Sequence, residues 1–139
     1  MLKNKKKLAG IWVDHTNAWI VRYDKSNESI EKVESQMEPR VKETGGTAEA
    51  RVAHHKIENR REEYAKKFYQ EILTKIGDVD ELVLMGPSTA KTELKKCVAK
   101  KKALHAKLRG TIPADHMSDR QIAAKVREYF HLGNDLAAA

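Results

Sequence analysis

Apolar positions fall into short blocks separated by turn-forming or charged residues, and their spacing changes along the chain. Leu8–Val13 and Ala18–Tyr23 are apolar runs parted by Asp14-His15-Thr16-Asn17, residue types that favour turns, so the pair reads as a hairpin. Ser29–Met37 sets Ile30, Val33 and Met37 among charged residues and predicts a third, weaker strand, ended by Pro39. Glu43-Thr44-Gly45-Gly46-Thr47 follows as a flexible loop.

From Ala48 the period lengthens. Val52, Ile57, Tyr64, Phe68, Ile72 and Ile76, filled in by Ala53 and Ala65, form a stripe that predicts a helix of roughly 28 residues, closed by Gly77. A helix of that length is expected to project from the body at its polar end, Arg51 through Glu63. Leu82-Val83-Leu84-Met85 is continuously apolar, the mark of a strand covered on both faces. Gly86-Pro87-Ser88-Thr89 makes a turn, with Ser88 or Thr89 placed to cap a helix that turns Leu94, Cys97 and Val98 inward. Leu104–Ile112 alternates weakly and predicts another strand before Pro113. Ser118 and Gln121 have the spacing of a capping box, opening a last helix with Ile122, Val126, Tyr129 and Phe130 inward and Gly133 at its end. Three strands and then alternating helices and strands imply an α/β fold: an antiparallel β-meander followed by αβαβα, forming a mixed sheet with helices packed on it.

Composition narrows this picture. A chain of 139 residues that is 40% apolar suits one domain, residues 1–139 with an ordered core over about 8–132, and leaves no room for two of ordinary size. No apolar stretch approaches the ~20 residues that span a bilayer, so no membrane partner is expected. Lys3, Lys5, Lys6 and Lys7 precede an apolar run, but Asp14 breaks it and no cleavage pattern follows, which leads to an expected cytoplasmic location. A single cysteine, Cys97, forms no internal disulfide and excludes a four-thiolate metal site within one chain.

Charge is concentrated. Between Lys91 and Arg109, eight basic residues (Lys91, Lys95, Lys96, Lys100, Lys101, Lys102, Lys107, Arg109) face one acid, Glu93, a net of +7. The rest of the chain holds 19 residues of each sign and cancels. A neutral body with one basic segment is the electrostatic footprint of a polyanion binder, although a lysine-rich run also serves as a solvated helix face. The predicted long helix adds Arg51, Lys56, Arg60, Arg61, Lys66 and Lys67, at spacings that grip successive phosphates. Glu49, Glu58, Glu62 and Glu63 fit the other reading equally, an exposed helix held by charge pairs.

Candidate chemistry is sparser. Asp14 at the end of the first strand invites comparison with two-metal nucleases, but Asp80, Asp115 and Asp119 show no diagnostic spacing with it, and aspartate is at home in a hairpin turn. His54, His55 and Glu58 lie within one helical turn and lack the further partners a zinc site needs. Cys97 reads as core packing, and the Gly86-Pro87-Ser88-Thr89 turn lacks P-loop spacing. The paired glycines Gly45-Gly46, with Thr47, allow backbone to enter a crowded site. No metal or other cofactor is implied.

These features together resemble the middle domain of the archaeal and eukaryotic class-I peptide release factor and its relative Pelota. That family has an RNase H-like mixed sheet and, in the release factor, a Gly-Gly-Gln loop leading into a long basic helix. Here Gly45-Gly46-Thr47 leads into Ala48-Glu49-Ala50-Arg51-Val52-Ala53, and Arg51, Ala53, Glu58 and Arg60 stand where the family helix carries similar residues. Leu82-Val83-Leu84-Met85-Gly86-Pro87, with Lys91 after it, looks like the family's apolar strand, turn and lysine. Ala114-Asp115-His116-Met117-Ser118-Asp119-Arg120-Gln121-Ile122 is similar to small bacterial relatives of the family. The resemblance spans roughly Leu8 to Phe130. It implies a chain that binds ribosomal or transfer RNA on the ribosome, in translation or ribosome rescue. Charge and spacing make Arg51, Lys56, Arg60 and Arg61, with the eight of the Lys91–Arg109 segment, the cations expected to bind it. Thr47 replaces the family's glutamine, so binding takes precedence over catalysis. Hydrolysis of peptidyl-tRNA through Gly45, Gly46 and Thr47, and a metal-dependent nuclease built on Asp14, are the alternatives. Domains that read the codon or dock a GTPase have no counterpart in these residues, and no codon reading is expected.

Overall fold

Alternation along the first strands fixes two buried faces. The computed structural model describes residues 6–25, 27–35 and 48–132, with 48–61 described as backbone alone. β1 (Lys7–Val13), β2 (Asn17–Asp24) and β3 (Asn27–Glu34) form the antiparallel meander; α1 (Ala48–Ile76), β4 (Glu81–Gly86), α2 (Ala90–Ala99), the short α3 (Lys102–His105), β5 (Leu108–Pro113) and α4 (Asp119–Tyr129) follow. Strand order is β3-β2-β1-β4-β5, with β4 parallel to β1 and β5 parallel to β4. The mixed α/β sheet expected from the pattern is the sheet that forms.

One face gathers Ala9, Ile11, Val13, Ala18, Ile20, Leu82 and Leu84 under Phe68, Tyr69, Ile72, Leu73 and Ile76 of α1 and Ala90, Leu94 and Val98 of α2. The other gathers Leu8, Trp12, Val21, Tyr23, Val83 and Met85 under Ile122, Ala123 and Val126 of α4. A sheet clothed on both sides needs its central strands apolar throughout, which is why Leu82 to Met85 carry no polar residue and are fully buried. On β1 a Cβ at Gly10 would collide with Val126, so glycine there lets α4 lie directly on the sheet.

Two ion networks fasten the helices. On one face Arg22 donates to the carbonyl of Lys75 at the end of α1 and pairs with Glu31 at 3.1 Å, while Lys75 reaches Glu31 at 2.6 Å. On the other, Tyr23 and Arg127 both donate to Glu28 Oε1, each at 2.6 Å. Burial, together with the neighbouring Glu28, pushes the Tyr23 phenol well above its ordinary value, so it stays a donor.

Three expectations need correction. The strand placed over Leu104–Ile112 starts later: Lys102–His105 closes a helical turn, with His105 N–H donating to Lys101 at 2.8 Å, and extended backbone runs only from Leu108 to Pro113. Apolar residues at Ala103 and Leu104 follow a helical end here, not a pleat. Pro113 is the last residue of β5, where a proline's missing donor costs no ladder bond on an edge strand. Neither Ser88 nor Thr89 caps α2 through its side chain; Ser88 Oγ is buried without a partner and Thr89 Oγ1 lies toward His15. The α1 stripe includes Tyr69 and Leu73 beside Phe68, Ile72 and Ile76, because the broad sheet accepts a wider face than one row of residues. Gly77 closes α1 with φ of 66°, as its position predicted, and Ser118 with Gln121 forms the capping box of α4. Met37, Pro39, Gly133, the Ala-rich tail and the Gly45-Gly46-Thr47 loop lie outside the described residues.

Candidate nucleic-acid interface

α2 is amphipathic for a simple reason: Ala90, Leu94 and Val98 recur at four-residue spacing and go inward, with Cys97 half-buried beside them. Lys95 and Lys96 therefore face solvent, and Lys100, Lys101 and Lys102 extend the same basic surface past the end of the helix into α3. Among the described residues no carboxylate pairs with any of these five lysines. The other three cations of the segment are engaged. Lys91 Nζ donates to the Ser88 carbonyl at 2.8 Å and closes the turn after β4. Lys107 lies 3.7 Å from Asp78, and Arg109 donates to Glu81 at 3.1 Å and to the Ala106 carbonyl at 2.9 Å. A free ammonium neutralises a phosphate with no bond to break first, so five of the eight residues form the available surface. Lys66 and Lys67 are also exposed, the latter 6.0 Å from the ring of Tyr64. Arg51, Lys56, Arg60 and Arg61 lie on the α1 backbone, but their side chains are outside the described residues.

Burial pushes the Cys97 thiol upward despite nearby Lys100, which suits packing and not nucleophilic attack.

The C-terminal ends of β1, β4 and β5 bring together residues that no sequence spacing links. Gly86 ends β4 against the Val13 carbonyl, where a Cβ would overlap backbone. Beside it, Asp14 Oδ1 accepts from Thr16 N–H at 2.8 Å, Asn17 N–H at 2.6 Å and Thr16 Oγ1 at 3.1 Å, the turn role that its residue type suggests. Its second oxygen is shared with His116 Nε2 at 3.1 Å. Burial acts to raise the Asp14 carboxyl, but the Asn17, Thr16 and His116 hydrogen bonds outweigh it and hold the group below its ordinary value. The His116 ring also meets the edge of Trp12, centroids 5.1 Å apart, and Trp12 Nε1 donates to the Asp115 carbonyl at 3.1 Å. Next along the chain, His15 Nε2 lies 3.0 Å from Glu93 Oε2 and 3.4 Å from Thr89 Oγ1. Sequence pattern places His15 in a turn and His116 in the Ala114–Ile122 segment but gives neither a role, since 102 positions separate His116 from Asp14.

Asp80 is at the opposite end of β1, bonded to the Lys7 N–H at 2.7 Å. Among the described residues no three His, Cys, Asp or Glu side chains gather as ligands for one ion. No helix among them is long and apolar enough to cross a membrane.

No family model matches the sequence, and no curated protein matches it. Solved structures do match its fold. An archaeal translation termination factor, aRF1, superposes with a TM-score of 0.57 at 16% identity, over 97% of this chain and 37% of that one. Pelota from Thermoplasma acidophilum gives a TM-score of 0.56 at 12% identity over 96% of this chain, and Pelota from Archaeoglobus fulgidus 0.53 at 11% over 92%. This chain thus spans little more than a third of the length of these proteins, 37% and 38% for the two Pelota chains. The mixed sheet with its α/β connections is the fold of a part of the termination factor and of Pelota, as the resemblance in sequence implied.

Proposed function

We propose that this chain is an RNA-binding domain acting on ribosomal or transfer RNA in translation or ribosome rescue, in the cytoplasm, with no codon reading of its own. The observation that carries the reading is the row of exposed, unpaired lysines Lys95, Lys96, Lys100, Lys101 and Lys102 along α2 and α3. Structured RNA presents a regular array of backbone phosphates, and such a row grips them without reading bases. Arg51, Lys56, Arg60 and Arg61 of α1 are proposed to extend the contact, and Lys91, Lys107 and Arg109 to hold the scaffold that presents it. The fold shared with a translation termination factor and Pelota supports the choice of translation over other RNA biology.

The test is sedimentation with ribosomes, together with the salt dependence of binding to ribosomal RNA. Each phosphate contact releases counterions and adds roughly 0.7–0.9 to the slope of log K against log salt. Replacing all five lysines by glutamine flattens that slope by about 3.5 to 4.5 units if each meets a phosphate. An unchanged slope would mean that the surface serves solubility alone.

A further inference from the structure

The pair Asp14–His116 has the construction of an acid–base device. Asp14 is 15% exposed on its side chain, whereas His116 is 74% exposed. An ionised carboxylate only accepts hydrogen bonds, so the neutral imidazole carries its hydrogen on Nε2 toward Asp14 and leaves the Nδ1 lone pair free. The ring cannot swing easily. Asp14 is fixed by three further bonds from the turn, and the buried Trp12 ring both abuts the imidazole and anchors the chain at Asp115. A base oriented by a carboxylate, with its other nitrogen open to solvent, is the arrangement that nucleophile activation requires.

What would meet it follows from its surroundings. Residue 15 supplies a second exposed imidazole, tied through Nε2 to Glu93 and Thr89 at the start of α2. The same helix carries its unpaired lysines from Lys95 onward, roughly 9 Å along the axis from Thr89. A phosphate chain lying on α2 therefore leads past Thr89 to His15, and the neighbouring residue Asp14 holds His116.

We propose that His116, positioned by Asp14 and Trp12, and His15 form a metal-independent RNA-cleaving site. This rests on the RNA-binding reading above. His116 Nδ1 takes the proton of a ribose 2′-hydroxyl, and the 2′-oxygen forms a bond to the adjacent phosphorus. The phosphorus–O5′ bond breaks, its electron pair stays on O5′, and that oxygen takes a proton from His15 in its protonated form. The products are a 2′,3′-cyclic phosphate and a free 5′-hydroxyl. His116 then returns its proton to water and His15 regains one, so charge and atoms balance without an added reactant. His116 and His15 are the catalytic residues of this scheme, and Asp14 is a positioning residue.

The experiment uses the full chain, EDTA throughout, an end-labelled mixed-sequence RNA of the ribosomal type, and the same RNA carrying 2′-O-methyl groups. Binding is read by filter retention and cleavage by gel with identification of the ends. Expected are equal binding of both RNAs and cleavage of the unmethylated one alone, leaving cyclic phosphate ends. His116→Gln should cut the rate by at least about 100-fold with binding unchanged, within the usual range for a lost general base. Because the ring is exposed, free imidazole should restore part of the rate in His116→Ala. Asp14→Asn places an amide against Nε2 and favours the wrong tautomer, so kcat should fall at least tenfold with KM unchanged, and thermal melting confirms that the fold persists. RNA that is bound but left intact by the native chain overturns this proposal and leaves the RNA-binding reading standing. RNA neither bound nor cut overturns both. Cleavage that survives His116→Gln, or that appears only when a divalent ion is restored, also overturns it.

Discussion

Asp14 joins two jobs in one side chain. One oxygen organises the β1–β2 turn, while the other holds His116 from the start of α4's approach. Because these bonds lower its folded-state titration, they stabilise the protein fully above the unfolded value of ~3.9 and cease to do so as pH falls through the lower folded value. Asp14→Asn removes the titrating group. Its melting temperature should lie below that of the native chain at neutral pH, and the gap should close as pH falls from about 5 to about 2. A gap that stays constant over that range would show that Asp14 ionisation is not linked to folding. At the same scale, Gly10 is set by its neighbour and not by its own backbone, since what it avoids is Val126 on a distant helix.

Among the elements, α1 shows how far periodicity reaches. The four-residue recurrence Phe68, Ile72, Ile76 was sufficient to orient the helix, and all three are buried against the sheet. Phe68→Ala should cost about 3–5 kcal/mol, from lost burial and the cavity left in a face shared with Tyr69 and Leu73. Chemical denaturation measures it, and an unmoved midpoint would place the stripe on the wrong side. β4 was equally legible, because burial on both faces leaves no polar position to encode. The α2–β5 connection was not. Its lysines blur any period, and the turn at Lys102–His105 is decided by how α2 must end before the chain can join β4's edge.

At the scale of the whole molecule, the fold resembles a part of a termination factor, yet the residue that follows Gly45-Gly46 is threonine. Backbone donors at a developing oxyanion act only when held in place. Thr47 keeps its N–H but has no amide to place a water. Little or no peptide should be released from peptidyl-tRNA on loaded ribosomes by the natural chain, and Gly45→Ala and Gly46→Ala should leave ribosome binding intact. Peptide liberated over time is the readout. Robust release that either glycine substitution abolishes, with binding unchanged, would make that loop an active site.

The order of elements, the buried strand β4, the α4 capping box and the basic character of α2 all belong to local pattern, since propensity, capping and amphipathicity act within a few residues. The resemblance carried by Gly45-Gly46, Leu82–Pro87 and Ala114–Ile122 was legible for the same reason: short motifs survive in one dimension. Only the tertiary structure decided which of the eight cations of the Lys91–Arg109 segment are free, because Asp78 and Glu81 meet Lys107 and Arg109 only once β4 and β5 pair. It alone brought His116 to Asp14 across 102 residues, by running β1, β4 and β5 parallel so that their C-terminal ends share one edge. Contacts of that kind are made by strand pairing over long separations, and no local periodicity encodes them.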